Sequence, residues 1–165
     1  MWDIVFARVD DRLIHGQIMT RWLKGFPAKT VIIINDLLAI DDYMKSIYTM
    51  AAPPGVKVKV MSINEFVEES SKPGEEKAFI LFKDIESVEK VIDAGVNIKF
   101  LNIGGVAKMA GKKTIIQSVS LNDKEAEILK DLHKDKGVEI YFQMVPDSER
   151  LNIDYVIEKF FPKLK

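Results

Sequence analysis

The sequence predicts a single α/β domain, with a mainly parallel, open sheet of about seven strands and helices on both faces. Three observations carry this expectation. Seven short apolar, β-branched runs recur along the 165 residues. Helical patterns lie between most of them, and alternating strands and helices give a parallel sheet. The strongest run, "TVIIIND" (30–36), holds four consecutive apolar residues, as expected for a strand covered on both faces. The length suits one domain spanning 1–165.

The elements follow in order. "DIVFARV" (3–9) reads as the first strand. Residues 15–24, "HGQIMTRWLK", read as a helix with Ile18, Met19 and Trp22 on one face. The strand 30–36 comes next, then a helix over 41–52 that runs into "AAPPG", a stop signal. "VKVKVM" (56–61) alternates with period two, so it has one wet face and lies near an edge. Ser62 and Glu65 form a capping box ahead of "FVEES". "AFILF" (78–82) is the fourth strand. Residues 84–94 place Ile85, Val88, Val91 and Ile92 on one stripe before Gly95. "IKFLNI" (98–103) and "TIIQSV" (114–119) are further strands. Asn122 and Glu125 open a helix that stops at Gly137. "VEIYFQMV" (138–145) is the last strand, and "NIDYVIEKFF" closes the chain as a helix.

Composition removes several function classes. Apolar residues make up 47% and charged residues 30%, as in ordinary soluble domains. The net charge of −1 argues against a nucleic-acid partner, which calls for a basic excess. Without cysteine there is no disulfide and no thiolate nucleophile or metal ligand. Two scattered histidines give no support for a metal site. No apolar run is long enough to span a bilayer, and the N-terminus lacks the pattern of a signal peptide. The expected location is therefore the cytoplasm. The glycine-rich "NIGGVAKMAGKK" (102–113) matches neither phosphate-loop fingerprint, and no nucleophile elbow is present. No cofactor is expected.

Ligands of such sheets bind beyond the carboxyl ends of the strands. The segments there include "DDRLIHGQ" after the first strand, the GG loop and "PDSER". His15 sits at the start of a helix, where backbone N–H groups and the dipole favour an anion. Arg12 and Arg8 lie close in sequence and offer forked phosphate donors. Asp10 or Asp11 is placed to bond one imidazole nitrogen and leave the other free as a nucleophile. Gly16 leaves room for a partner. The competing reading is a half-exposed histidine in a charged turn. His133, in "KDLHKDK", reads as structural or solvated. A receiver domain is disfavoured because "VMSIN", after the third strand, holds no acid.

The run "RVDDRLIHGQIMTRW" resembles the active-site segment of the IIB subunits of the mannose/fructose/sorbose class of the bacterial sugar phosphotransferase system. "TVIIINDLLAID", "LNIGGVAKMAGKK" with "SVSL", and "VEIYFQMVPDS" resemble family segments in the same order. The resemblance implies a phosphocarrier. A IIA protein would phosphorylate His15, which would pass the group to a sugar carried by membrane IIC and IID subunits. It implies Arg12 as the residue steadying the phosphoryl group and Asp10 and Asp11 as the acidic pair. Arg8, Gly16 and Gln17 match flanking positions. A separate IIA and peripheral attachment to the inner membrane face through IIC/IID are implied as well. Met19, Trp22 and Phe26 then either rim a docking surface or pack the first helix. The alternatives are a non-catalytic regulatory domain that keeps the loop, and a nucleotide-binding domain of doubly wound fold.

Overall fold

The computed structural model describes the backbone of residues 1–165 and every side chain except those of Gln17 and Ile18. The expectations for those two side chains lie outside the described residues. In chain order the elements are β1 (Trp2–Asp10), α1 (Gly16–Gly25), β2 (Thr30–Ile34), α2 (Asp36–Ala39), α3 (Asp42–Met50), β3 (Lys57–Met61) and α4 (Ile63–Ser70). Then follow β4 (Glu76–Phe82), α5 (Ile85–Asp93), β5 (Phe100–Gly105), β6 (Lys113–Ile116), β7 (Val119–Leu121) and α6 (Asp123–Lys136). β8 (Glu139–Phe142), β9 (Leu151–Asn152) and α7 (Ile153–Phe160) complete the set, before a short 3-10 turn.

The large sheet has seven strands in the order β3-β2-β4-β1-β5-β8-β9. All its pairings are parallel except β8–β9. β1 is central. The chain leaves it toward β2 on one side, while β5 leads toward β8 on the other. Their carboxyl ends flank the crevice that opens where connections diverge.

Strand alternation divides the core into two layers. Ala7 and Val9 of β1 pack into a cluster with residues of α4, α5, α6 and α7, including Phe66, Val88, Leu129 and Val156. Phe6 faces the other way, toward Met19 and Trp22 of α1, Leu38 of α2 and Met44 of α3. Helices thus cover both faces, as the sequence predicts.

The local signals explain most boundaries. β3 is the edge strand that its alternation implied. Ser62/Glu65 and Asn122/Glu125 both form complete capping boxes. Gly137 ends α6 in the left-handed conformation, φ 71°, which costs a glycine no Cβ clash. His133 at that end bonds the Val138 carbonyl, 2.7 Å away, so it is a structural histidine.

Two expectations are corrected. "TIIQSV" is not a strand of the large sheet. Its run breaks at Gln117 and Ser118, where the chain reverses, and β6 and β7 form a separate antiparallel pair. The seventh strand is β9, whose two residues carry no periodic signal. The run 30–36 stops at Ile34 because Asn35 caps α2, accepting from the Leu38 N–H at 3.0 Å. Of the two readings given for Met19 and Trp22, packing of the first helix holds, since each is 3% exposed. Trp22 stacks on Phe6 at 4.8 Å, within the cluster that joins α1 to this face of the sheet. Phe26 stays partly exposed but also stacks on Phe6.

Two substitutions measure these contributions by urea unfolding. Asn122→Ala, which removes the cap of α6, is expected to cost about 1 kcal/mol. Phe66→Ala, which empties a fully buried site, is expected to cost about 3–5 kcal/mol.

Candidate functional site

The site grows from the pleat of β1. Arg8 and Asp10 are two residues apart, so their side chains leave the same face of the sheet. This is the face that carries Phe6 and against which Trp22 of α1 packs. Both are buried, Arg8 to 2% exposure and Asp10 to 0%. An isolated buried charge is costly, and these two are compensated by pairing and by hydrogen bonds.

The Arg8 guanidinium has partners in several directions. Its Nη2 donates to Asp10 Oδ2 at 3.0 Å and to the Met144 carbonyl at 3.0 Å. Its Nη1 donates to Asn102 Oδ1 at 2.5 Å and to the Gln143 carbonyl at 3.2 Å. The ring of Trp22 lies 5.3 Å from its central carbon. Burial lowers the pKa of Arg8 from its ordinary value, and Asp10 offsets only part of that. Arg8 therefore lies beneath the site, engaged with protein groups.

Asp10 is the hub. Oδ2 accepts from Arg8 and from His15 Nε2, the latter at 2.8 Å. Oδ1 accepts from the Arg12 backbone N–H at 3.1 Å and, more distantly, from Arg12 Nε at 3.4 Å. Burial works to raise its pKa. The bond to His15 and the charge of Arg8 outweigh burial, so the carboxyl lies below its ordinary value. An ionised carboxylate only accepts hydrogen bonds, so Nε2 of His15 carries the proton. In the neutral ring the lone pair then resides on Nδ1.

The loop after β1 brings His15 to this point. The Leu13 N–H donates to the Asp10 carbonyl at 2.9 Å, closing a tight turn. Leu13 adopts φ 56°, a conformation that bulky residues rarely adopt. Its side chain is 2% exposed and belongs to the core. Burial of that leucine holds the strained turn in place. Asp11 ties the loop to its neighbour: its N–H donates to the Gly105 carbonyl at 3.0 Å, and its carboxylate accepts from the Ala107 N–H at 2.7 Å. His15 is the N-cap residue of α1, and its side chain is 23% exposed. Gly16 follows it at φ 50°, in open space.

The structure thus brings Asp10, Arg12 and His15 together and distinguishes the two aspartates. Asp10 touches the imidazole and Asp11 pins the loop. Arg12 reaches outward with its side chain half exposed. Beside it lies a shallow open depression lined by Asp11, Arg12, Ala107, Lys108, Gln117 and Ser118. The GG loop has a defined part in this geometry. A Cβ on Gly104 would lie 2.0 Å from the Arg8 guanidinium carbon, and one on Gly105 would lie 2.4 Å from Asp10 Oδ1. Sequence reading missed Asn102, Leu13 and the Gln143 and Met144 carbonyls. The alternation of "FARVD" signals only that Arg8 and Asp10 share one face; Asn102 and the two carbonyls come from distant segments and carry no such local signal. Among the described residues no cluster of metal-ligating side chains occurs. No helix of the described residues is long and apolar enough to cross a membrane.

Known proteins share this arrangement of chain. The family model of the phosphotransferase system sorbose subfamily IIB component matches residues 4–164. The structure of manxB from Thermoanaerobacter tengcongensis superposes with a TM-score of 0.94 at 55% identity, covering 98% of this chain and 99% of that one. The sorbose-specific EIIB component of Klebsiella pneumoniae is 38% identical over 91% of this chain and 92% of its own. The mannose-specific EIIAB component of Escherichia coli K12 is 34% identical over 94% of this chain. There the chain spans about half of the relative's length, 49%. With a family model matched almost end to end, the chain belongs to the sorbose-subfamily IIB components of the sugar phosphotransferase system.

Proposed function

We propose that this protein, as a single domain, relays a phosphoryl group from a IIA component to a sugar, with His15 as the covalent carrier. The observation that carries the proposal is the 2.8 Å bond between His15 Nε2 and the buried Asp10 carboxylate. It leaves Nδ1 as the nucleophilic nitrogen. In the first transfer the Nδ1 lone pair attacks phosphorus while the phosphorus–nitrogen bond of the donor's phosphohistidine breaks. His15 keeps its Nε2 proton, and the ring gains a positive charge that Asp10 offsets. In the second transfer a sugar hydroxyl attacks phosphorus, the Nδ1–phosphorus bond breaks, and the ring returns to its neutral form. The hydroxyl proton leaves to a base on the acceptor side or to solvent.

Such transfers depend mainly on positioning and charge stabilisation. A phosphoryl group adds nearly two negative charges. Arg12, half exposed at the rim, is the proposed cation that meets them. The start of α1 adds its dipole and backbone donors. Asp10 orients the ring, Asp11 fixes the loop, and Arg8 acts from below through Asp10 rather than by touching phosphate. Gly16 and Gln17 flank the approach of the partner. The partners are a IIA phosphodonor and membrane IIC and IID subunits, which would hold the protein at the cytoplasmic membrane face. An open, shallow site suits a carrier that must meet and release two partners in turn.

Intact-mass measurement with phosphoenolpyruvate, the general carrier proteins and a cognate IIA tests this reading. One acid-labile phosphoryl group is expected on the wild type and none on His15→Ala, with both proteins folded. Labelling that persists in His15→Ala would overturn it. Arg12→Ala is expected to slow transfer by about tenfold or more, with an unchanged circular-dichroism melt. Asp10 also sets a pH dependence. Its native pKa lies below the ordinary aspartate value. Its ionisation therefore contributes stability that is present above that value and is lost as pH falls through the lower native one. Acid unfolding of Asp10→Asn, followed by tryptophan fluorescence, is expected to lack this component.

A further inference from the structure

Asn102 is fully buried in β5, between the apolar core residues Leu101 and Ile103. A buried amide is costly unless its polar atoms are bonded. Both ends of this one are bonded within the framework beneath His15. Its Oδ1 accepts from Arg8 Nη1 at 2.5 Å. Its Nδ2 donates at 3.1 Å to the Gln143 carbonyl, which itself accepts from Arg8 Nη1 at 3.2 Å. Asn102, Arg8 and that carbonyl thus close a three-membered network. The ladder supports it, because Arg8 and Asn102 stand opposite one another in the β1–β5 register. Two residues on, Gly104 leaves the space that the guanidinium occupies. The guanidinium is held in the orientation that points Nη2 at Asp10 Oδ2, the oxygen that also receives His15.

We infer that Asn102 is a positioning residue for phosphoryl transfer: by holding Arg8 it fixes the Asp10 carboxylate, and through it the orientation and Nε2–H tautomer of His15. The inference rests on His15 being the phosphoryl acceptor. A hydrophobic residue at this position would fill the same space in the sheet. It would leave Arg8 with one acceptor fewer and the Gln143 carbonyl with one donor fewer.

Two variants test it. Asn102→Asp is nearly isosteric, but it replaces the amide donor with an acceptor and competes with Asp10 for Arg8. Asn102→Ala removes both bonds. Each is read in two ways: the rate of phosphoryl gain from phospho-IIA by intact mass, normalised to folded protein, and the ring ¹⁵N spectrum of His15, which needs no partner. The expected result is a rate lower by roughly tenfold to a hundredfold, with KM for phospho-IIA little changed. The single-tautomer ¹⁵N pattern of the wild type is expected to give way to an averaged one. A folded variant with wild-type rate and an unaltered His15 spectrum would overturn the inference. So would a lower Tm with both readouts unchanged, or failure of both variants to fold, since each marks a purely structural residue. If the wild type accepts no phosphoryl group from a verified active IIA, the relay reading falls. The ¹⁵N comparison then decides on its own whether Asn102 positions His15.

Discussion

The buried pair of Arg8 and Asp10 is the interaction on which the rest of the site depends. A carboxylate at 0% exposure is sustained only by partners that replace water. Arg8 supplies the opposing charge, while His15 and the Arg12 backbone supply hydrogen bonds. The same carboxylate therefore orients the imidazole and holds the loop that carries it. Without it the turn through Leu13 would lose its bond from the Arg12 backbone N–H and its tie to His15, and would keep its unfavourable conformation on Leu13 packing and the Asp11 contacts.

The surrounding fold reads as support for that pair. β1 is placed centrally, so the charges sit at the carboxyl end of an inner strand rather than on an edge strand. β5 contributes an asparagine and two glycines, the one a hydrogen-bond partner and the others empty space. The segment after β8 contributes carbonyl groups, and its Met144 carbonyl accepts from the Trp22 indole as well as from Arg8. α1 is thus anchored to the same framework that holds Arg8. His15, the proposed carrier, is its N-cap residue, so imidazole and helix dipole share one reference frame. Rigidity lies below His15 and openness above it, which fits transfer between successive partners.

Sequence periodicity and capping chemistry determined the fold class, the edge position of β3, the two capping boxes and the glycine stop of α6. These are local effects, and residues a few positions apart are enough to reveal them. The charged turn after the first strand also marked His15 as a candidate, and the resemblance of that run to the IIB active-site segment supplied its proposed role. What tertiary structure alone decided are matters of register and burial. Asp10 rather than Asp11 meets His15 because the pleat turns position 10 toward Arg8, while the loop turns position 11 toward Ala107. Arg8 is a buried support because β5 and the chain after β8 close over it. Asn102, 94 residues from Arg8 in sequence, becomes its partner only when two parallel strands align. The hairpin of β6 and β7 and the two-residue β9 pair with near neighbours in sequence, but strands that short carry too few residues for a periodic signal.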